Sequence, residues 1–465
     1  MSTATVSGKL SVKNTVAWIL TIAIPSAILL LPTNEAFTSQ IKLFLAITMV
    51  AVLTFIFEHI NSTAATLALP LVYIIVLKVP AAQVLSPWTM SVPWMMVGGF
   101  FLAIILQRVG LLKRVAYKCI MITGASYNGI IWGLAITGLV LYLMMSNNTV
   151  VPLAVLGFSI CKALGLSKGR EAAGITLAAA TAALVPNNFL FNSTIFVYAG
   201  MGQAAAGPIS IGYVEYFKEN FVMLFYYFLL FFVITKMFKP RTPINGKAFF
   251  QQEYEKLGKI TSEEKKVLIV VAILFVFLLT AKLHGIDVML GFAIIPLLLF
   301  LPGLKVATAE DLNGINWSVV VFTVGCLSIG TTGGALGLGQ MAAGWIMPII
   351  EGRSLTFFLA LVYIAYIVLN FILTPMAMTA AFTLPLAQIA VDIGLNPAAL
   401  YVFFTSATDQ VILPYEIAVY LIFLGFGMVE TKHFAQFMGV RMLFNAIFLF
   451  AFLIPWWSFT GFLYL

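Results

Sequence analysis

The chain has 465 residues, of which 62% are hydrophobic and only 9% are charged. Soluble globular proteins carry roughly 25% charged residues, so this chain has too few polar side chains to cover a surface that faces water. The sequence therefore predicts a protein that lies mostly in a lipid bilayer. The net charge of +8 does not indicate nucleic-acid binding, because the basic residues fall between apolar segments.

Eleven apolar segments, separated by short polar stretches, have the length of membrane-spanning helices. The first follows Lys9 and Lys13 and has no small-residue cleavage site, so we interpret it as a span and not as a signal peptide. The predicted spans cover 15–32, 41–57, 63–79, 92–107, 171–200, 218–236, 266–283, 286–301, 316–335, 398–428 and 434–460.

Two further apolar segments, 125–165 and 354–395, are interrupted near the middle. The first is interrupted by Ser146-Asn147-Asn148-Thr149 and the second by Thr374-Pro375. Each half is short for a full span, so both segments are predicted to be re-entrant helical hairpins. The fold class is therefore an all-α polytopic membrane protein, with eleven transmembrane helices and two re-entrant hairpins.

The basic residues predict the orientation, because cytoplasmic loops are enriched in Lys and Arg. With the N-terminus inside, the predicted cytoplasmic loops are 58–62, 108–170, 237–265, 302–315 and 429–441. Of the 25 basic residues, those that then lie outside are Lys42, Lys78, Lys218, Lys282 and Arg353. The prediction is a multi-pass protein of the inner (plasma) membrane, with a cytoplasmic N-terminus and an external C-terminus.

Landmarks recur in the two halves of the chain at an offset of 223 to 228 residues. The pairs are Pro70 and Pro296, Trp94 and Trp317, Gly99 and Gly325, Ser146 and Thr374, and Pro186 and Pro414. The predicted regions are a first segment with one span, repeat 1, a cytoplasmic linker and repeat 2, with bounds 1–40, 41–236, 237–265 and 266–465. Each repeat has an odd number of spans, which predicts opposite orientations. Inverted repeats with paired broken helices are typical of an alternating-access transporter whose site lies near the midplane.

The first hairpin tip, Ser146-Asn147-Asn148-Thr149, places polar side chains inside an apolar segment. The arm that follows the tip begins with free N–H groups and the positive end of a helix dipole, which favour an anion. Carbonyl groups at the end of the preceding arm could equally hold Na⁺. A helix N-cap made by Ser, Asn or Thr would explain the same residues without a ligand.

The second tip is less polar, with Thr374 and Thr379 as donors and Pro375 suited to the first turn of the following arm. Beyond each hairpin, Pro186 and Pro414 interrupt an apolar segment near other polar residues. The candidate substrate ligands are Ser146, Asn147, Asn148, Thr149, Asn187, Asn188, Thr374, Pro375, Thr379, Thr408 and Pro414.

Two carboxylates, Asp409 and Glu416, fall inside the predicted span 398–428. A lone carboxylate at the centre of a bilayer costs about 2.5–3.5 kcal/mol on insertion scales, so it usually has a partner or a role. Either residue is a candidate for H⁺ or Na⁺ coupling, as are Ser146 and Asn147 for Na⁺. A position near the water interface, or a role as a helix cap, is the alternative for each carboxylate.

Three segments resemble the divalent-anion/sodium symporter family of dicarboxylate, citrate and sulfate carriers. They are FEHINSTAATLALPLV (57–72), WMMVGGFFLAIILQRVGLLKRVA (94–116) and ITGLVLYLMMSNNTVV (136–151). The resemblance implies a homodimer with a scaffold domain and a transport domain that moves like an elevator. It also implies that Asn and Thr residues at the hairpin tips bind the substrate carboxylates, with Na⁺ beside them.

The second half departs from the pattern of that family. The segment Thr374-Pro375-Met376-Ala377 stands where the family has a second Ser-Asn-Thr tip. The family's Pro-Pro-Asn appears as Pro186-Asn187-Asn188 and, more distantly, as Pro414-Tyr415-Glu416. One hypothesis is that Asp409 or Glu416 replaces part of the cation chemistry, which would favour H⁺ coupling or a differently shaped anion.

The leading functional prediction is a secondary active transporter of small organic anions, di- or tricarboxylates, coupled to Na⁺ or H⁺ or working as an anion exchanger. It needs no cofactor beyond the coupling ion, and its expected partners are the anion, the bilayer and a second copy of the chain, with no nucleic acid. One alternative is an inorganic or sulfonated anion such as sulfate, and another is an anion channel, which predicts a continuous polar lining. An intramembrane enzyme is disfavoured, because Ser146 lacks a nearby His or Lys and His59, His284 and His433 are scattered.

Overall fold

The structure is a computed structural model that describes residues 12–465 except 58, 193, 210 and 372–374. Within these residues all the regular structure is helical, apart from two isolated β-bridges. The helices before the linker are α1 (Val12–Leu30), α2 (Ser39–Phe57), α3 (Ser62–Val72), α4 (Ala81–Val84), α5 (Ser91–Arg108), α6 (Leu111–Ile122), α7 (Tyr127–Met145), α8 (Val150–Ala163), α9 (Arg170–Leu184), α10 (Thr194–Ala206), α11 (Tyr213–Asn220) and α12 (Val222–Met237).

The remaining helices begin in the linker. They are α13 (Lys247–Lys256), α14 (Ser262–Leu279), α15 (Ala281–His284), α16 (Val288–Ile294), α17 (Ala309–Asn313), α18 (Trp317–Ala335), α19 (Leu338–Ile350), α20 (Leu355–Asn370), α21 (Pro375–Asp392), α22 (Pro397–Thr408), α23 (Ala418–Gly425), α24 (Thr431–Phe448) and α25 (Ile454–Thr460). A π-helical turn, Leu449–Leu453, joins α24 to α25.

Among the described residues, four helices are long and apolar enough to cross a membrane: α5, α7, α18 and the continuous run α24–α25. The bent pair α11–α12, with an angle of 63°, would be a fifth. This finding agrees with a polytopic all-helical membrane protein. The expectation that each hairpin arm is too short to span is wrong for α7, which has 19 residues.

Two predicted single spans, 171–200 and 398–428, are not single helices. The first divides into α9 and α10 and the second into α22 and α23. Pro186 is the second residue of the 3₁₀ turn Val185–Asn188, which follows α9. Pro414 is the first residue of the 3₁₀ turn Pro414–Glu416, which lies between α22 and α23. A proline cannot donate a backbone hydrogen bond to the preceding turn, which explains why α9 ends just before Pro186. Helix α22 ends at Thr408, before Pro414 is reached.

Helices α7 and α9 run side by side in the same direction. At one end the Tyr127 hydroxyl donates to the carbonyl oxygen of Glu171 at 3.1 Å. At the other end the Tyr142 hydroxyl donates to Asn187 Oδ1 at 2.7 Å. Residue numbers therefore rise in the same direction along α7 and α9, so the two helices are parallel.

Helix α8 runs in the opposite direction along α9. The Thr149 hydroxyl donates to the carbonyl oxygen of Ala183 at 2.9 Å, whereas Cys161 Sγ lies 3.7 Å from the carbonyl oxygen of Ala172. Because α7 is parallel to α9 and α8 is antiparallel to it, the chain reverses over the 3₁₀ turn Ser146–Thr149.

The second half of the chain repeats the parallel pair with α20 and α22. The rings of Tyr363 and Phe403 lie 6.2 Å apart, and Asn370 Nδ2 donates to the carbonyl oxygen of Thr408 at 3.1 Å. Numbers again rise together, so α20 is parallel to α22.

Helix α21 is antiparallel to α22, and α10 is the helix that touches both. The Tyr198 hydroxyl lies 3.2 Å from the Thr379 hydroxyl and 3.4 Å from that of Thr408. A Cβ atom at Gly202 of α10 would overlap the Tyr401 hydroxyl and would lie 3.0 Å from Ala387 Cβ, so both residues lie beside Gly202. Residue numbers therefore rise along α21 in the direction in which they fall along α22. Because α20 is parallel to α22, the chain reverses its direction between α20 and α21.

Equivalent helices in the two halves also begin in the same way. Asn61 caps α3 by accepting from the backbone N–H of Ala64 at 3.0 Å, and Asp287 caps α16 by accepting from Met289 at 3.0 Å. The two caps are 226 residues apart. An N-cap of this kind satisfies a backbone donor that the helix leaves free.

The two halves contact each other through a pair of close helix crossings. A side chain at Gly98 of α5 would overlap the carbonyl group of Phe292 in α16, and one at Gly325 of α18 would overlap Thr66 in α3. Helix α5 thus packs on α16 while the related α18 packs on α3. Glycine at each crossing allows the two backbones to approach closely.

An ion pair anchors the end of the linker to the first half. Thr261 and Glu264 form a capping box at the start of α14, with the Thr261 N–H donating to Glu264 at 2.7 Å. The same carboxylate accepts from Arg114 Nε of α6 at 2.7 Å. The start of the second half is therefore held against α6.

We predict that Gly98→Ala destabilises the protein, because the new methyl group meets a backbone carbonyl that cannot move aside. Overpacking of this kind costs about 1–3 kcal/mol, and the thermal unfolding midpoint of the purified protein should fall accordingly. Gly439→Ala is the matched control, since Gly439 lies in α24 with open space around it. An unchanged midpoint for Gly98→Ala would contradict the crossing.

Candidate functional site

The candidate residues gather at two pairs of features, one pair in each half. We call Ser146–Thr149 the first tip and Val185–Asn188 the first break. The second tip is 371–374, of which 372–374 lie outside the described residues, and the second break is 409–416. Each break interrupts a helix, and α22 also packs against the first break.

The first tip and the first break are in contact. Thr149 is fully buried, and its hydroxyl donates to the carbonyl oxygen of Ala183 just before the break. Asn187 accepts from Tyr142 through its side chain, and its carbonyl oxygen accepts from the Tyr216 hydroxyl at 2.9 Å. Asn188 is buried in the same turn. The structure therefore brings together the first-half residues that the sequence singles out.

Asn148 lies against helix α5. Its Nδ2 donates to the carbonyl oxygen of Met145 at 3.2 Å and would lie 3.2 Å from a Cβ atom at Gly99. The glycine therefore leaves room for the amide at the tip. The side chains of Ser146 and Asn147 lie outside the described part of the chain, so their predicted roles stay predictions.

The second tip is tied to the second break by one amide. Asn370, the last residue of α20, donates through Nδ2 to the carbonyl oxygens of Thr408 at 3.1 Å and Gln410 at 2.8 Å. Asn370 is buried and was not among the predicted residues. The sequence signal for Asn370 is its position directly before the predicted second tip, which does not identify the carbonyl groups that it contacts.

The predicted second-half donors are mostly used inside the protein. Pro375 is the first residue of α21, and its carbonyl oxygen lies 2.8 Å from the Thr379 hydroxyl. The Thr408 hydroxyl donates to the carbonyl oxygen of Phe404 at 2.9 Å. Pro414 begins the 3₁₀ turn of the second break, and the predicted residue Thr374 lies outside the described residues.

Asp409 forms an ion pair with Arg441 of α24. Arg441 Nη2 donates to the Asp409 carboxylate, and Nη1 donates to the Asp409 carbonyl oxygen at 3.1 Å and to the Tyr420 hydroxyl at 2.6 Å. Arg441 is only 1% exposed. The prediction that Arg441 belongs to a cytoplasmic loop is therefore wrong, because it is buried within a helix and paired.

Glu416 has a different environment from Asp409. Its Oε1 accepts from the N–H groups of Ile412 at 3.2 Å and Leu413 at 2.6 Å. Its Oε2 is buried and has no hydrogen-bond partner among the described residues. A buried carboxylate oxygen without a donor is costly, so this atom is a candidate for a proton or a cation.

Comparison with known proteins identifies the family. A family model described as the sodium:sulfate symporter transmembrane region matches residues 12–463. The chain belongs to this family. It is therefore a membrane protein of the sodium-coupled anion symporter type and not an enzyme, and the resemblance noted in the sequence is confirmed.

One transporter sequence and one solved structure are similar to this chain. The sodium-dependent dicarboxylate transporter SdcS of Staphylococcus saprophyticus is 24% identical over 416 residues, which cover 80% of this chain and 78% of that protein. The crystal structure of the YdaH transporter of Alcanivorax borkumensis superposes with a TM-score of 0.57 at 14% identity. That match covers 84% of this chain and 89% of the other, and it shows that the two share a fold.

We predict that Asp409→Asn destabilises the protein because it leaves the guanidinium of Arg441 buried without its carboxylate. Removing one partner of a buried ion pair costs roughly 3 kcal/mol, and the low end of the usual range applies because the Asp409 side chain is 22% exposed. The double variant Asp409→Asn/Arg441→Met should recover most of the lost thermal stability. A double variant less stable than the single one would contradict the pairing.

Proposed function

We propose that the chain carries a small di- or tricarboxylate across the inner membrane by alternating access, coupled to a cation. The observation that supports this most is the repeated arrangement of a tip beside a helix break. In each half, two arms of opposite direction flank one broken helix, and the two arrangements are related by about the same offset as the sequence landmarks. Broken helices of this kind form the substrate sites of many secondary transporters.

The described first half offers neutral amide donors for an anion. Asn148, Asn187 and Asn188 lie with Thr149 at the first tip and first break, and α8 begins directly after the tip. The Thr149 hydroxyl already donates to a backbone carbonyl oxygen, so the amide groups are the available donors. The N-terminus of α8 places the positive end of a helix dipole there. We propose that these residues, with Ser146 and Asn147, bind one carboxylate of the substrate.

The second half would bind the other end of the substrate. The proposed ligands there are Thr374, Pro375, Thr379, Thr408 and Pro414. The Thr379 and Thr408 hydroxyl protons are already donated to the carbonyl oxygens of Pro375 and Phe404, so neither hydroxyl can donate to an anion unless that bond breaks. We therefore expect the first half to contribute more of the binding free energy.

For the coupling ion, the contacts favour Glu416 over Asp409. Asp409 already has a fixed counter-charge in Arg441, whereas Glu416 has a buried oxygen without a partner among the described residues. We propose Na⁺ at the first tip, with Ser146 and Asn147 as ligands, and H⁺ or Na⁺ at Glu416. An exchange of one anion for another remains compatible with the same site and is separated by the uptake experiment below.

We further propose the arrangement of the whole protein. It consists of eleven spans and two re-entrant hairpins, with the N-terminus in the cytoplasm and the C-terminus outside. Repeat 1 (41–236) and repeat 2 (266–465) are inverted with respect to each other, and the protein is a homodimer with an elevator-type transport domain. The antiparallel arms beside α9 and α22 support the two hairpins.

We expect proteoliposomes that contain the purified protein to take up dicarboxylates when an inward Na⁺ or H⁺ gradient is imposed. Succinate, malate and citrate should be tested with Na⁺ replaced by choline and with the pH gradient removed in turn. Uptake that requires only an internal anion, with neither gradient, would identify an exchanger. Uptake of none of these anions, together with ion currents across the membrane, would contradict transport and favour a channel.

Sulfate is the second candidate substrate, because the matching family model is named for sodium:sulfate symport. Competition distinguishes the two candidates directly. If a dicarboxylate is the substrate, a large excess of sulfate leaves its uptake unchanged. If sulfate itself is taken up and dicarboxylates do not compete, the carboxylate assignment is wrong.

We predict that Glu416→Gln weakens or abolishes the dependence of uptake on external pH. The amide can accept the hydrogen bonds of Ile412 and Leu413 but cannot bind a proton or balance a cation. The control is Glu351→Gln, because Glu351 is an exposed residue after α19. A wild-type pH profile in Glu416→Gln would rule out coupling through this carboxyl group.

A further inference from the structure

The two helix breaks differ in the charge of the side chain that caps them. In the first half, Tyr216 of α11 donates its hydroxyl to the carbonyl oxygen of Asn187. In the second half, Arg441 of α24 donates Nη1 to the carbonyl oxygen of Asp409. A neutral phenol thus stands at one break and a guanidinium at the other.

The two capping residues occupy equivalent positions. Tyr216 and Arg441 are 225 residues apart, within the range of the other repeat landmarks. Each is followed four residues later by a buried asparagine, Asn220 or Asn445. The difference between a phenol and a guanidinium is therefore a substitution at one position of the repeat.

Backbone carbonyl groups at the end of a broken helix are a common site for a coupling cation, since they combine free oxygens with the negative end of the helix dipole. At the end of α22 these oxygens already have donors within the protein. Gln410 Nε2 donates to Ser406, Asn370 donates to Thr408 and Gln410, and Arg441 donates to Asp409.

Arg441 also has the surroundings of a bound cation. The Asp409 carboxylate, the Asp409 carbonyl oxygen and the Tyr420 hydroxyl all converge on its two terminal nitrogens. Three oxygens around one positive charge is the kind of environment that a hard cation would otherwise require. Among the described residues, no charged side chain donates to the first break, 185–188.

We propose that Arg441 is a tethered cation that takes the place of a mobile ion at the end of α22. This rests on the proposed function, in which a mobile Na⁺ binds at the first tip and break. The Asp409–Arg441 pair then leaves the end of α22 electrically neutral and closed to Na⁺. Mobile Na⁺ is confined to the first half of the site, unless Glu416 binds a second cation outside this cluster.

Thermal unfolding of the full chain in detergent, titrated with NaCl against choline chloride and without substrate, tests the proposal. Ligand binding stabilises by mass action, so the curve reports how many Na⁺ ions bind. At saturating Na⁺ the free energy of unfolding rises with ln[Na⁺] by RT for each ion that binds only the folded protein. We expect this slope to be about 1 RT for the wild type and about 2 RT for Arg441→Gln, in which Asp409 is left to bind an added Na⁺. Arg441→Lys keeps the charge and should behave as the wild type.

Two controls complete the experiment. Asp409→Asn/Arg441→Gln removes the anionic ligand as well and should lose the added Na⁺ response. Arg353→Gln changes an exposed arginine just before the start of α20, and it should leave the wild-type response to Na⁺ unchanged.

Each outcome decides between two statements. An Arg441→Gln protein that responds to Na⁺ no more than the wild type overturns the tethered-cation proposal. So does a wild-type slope of about 2 RT that Glu416→Gln leaves unchanged, even if no Arg441 variant can be purified. If the wild type shows no Na⁺ response and Arg441→Gln gains one, the tethered cation stands and Na⁺ coupling in the proposed function fails.

Discussion

The structure depends on satisfying the polar backbone where a helix is interrupted among apolar surroundings. A peptide group that faces hydrocarbon has no water to bond, so each interruption requires a donor or acceptor from elsewhere in the protein. At the first interruption the partners are the hydroxyl groups of Thr149, Tyr142 and Tyr216. At the second they are Asn370 and Arg441. The side chains that make the interruptions possible therefore also define the polar region in which an anion and its co-ion would bind.

The two halves share the arrangement of a tip beside a helix break, but they differ in the charges of the side chains there. The first tip and break combine neutral amides and hydroxyls with a helix N-terminus, which suits a small anion. Among the described residues, no charged side chain donates a hydrogen bond to the first break. The second break carries two fixed opposite charges that cancel, beside a carboxyl group with one buried oxygen that has no partner in the described part of the chain. A buried ion pair contributes little net stability over an apolar pair of similar size. Stability alone therefore does not explain the pair, whereas the proposed control of the ion content of the site would explain it.

Much of the fold could be predicted because its signals are local. Apolar runs, the polar residues at the first tip and the prolines at 186 and 414 are visible along the chain, and the constant offset between the halves links them. The role of Arg441 could not be predicted in this way. The rule that places basic residues in cytoplasmic loops treats all arginines alike, and the partner that keeps Arg441 inside the protein lies 32 residues earlier in the sequence. Asn370 was missed for a related reason: a single asparagine at the end of an apolar run is informative only once the carbonyl groups opposite it are known.

The glycine crossings between the halves have a consequence for biosynthesis. Helix α5 packs most closely against α16, and α3 packs most closely against α18. Each half therefore lacks helix contacts that only the other half supplies. The contacts of α5 with α16 and of α3 with α18 can therefore form only after translation has passed the linker and reached the helices of the second half.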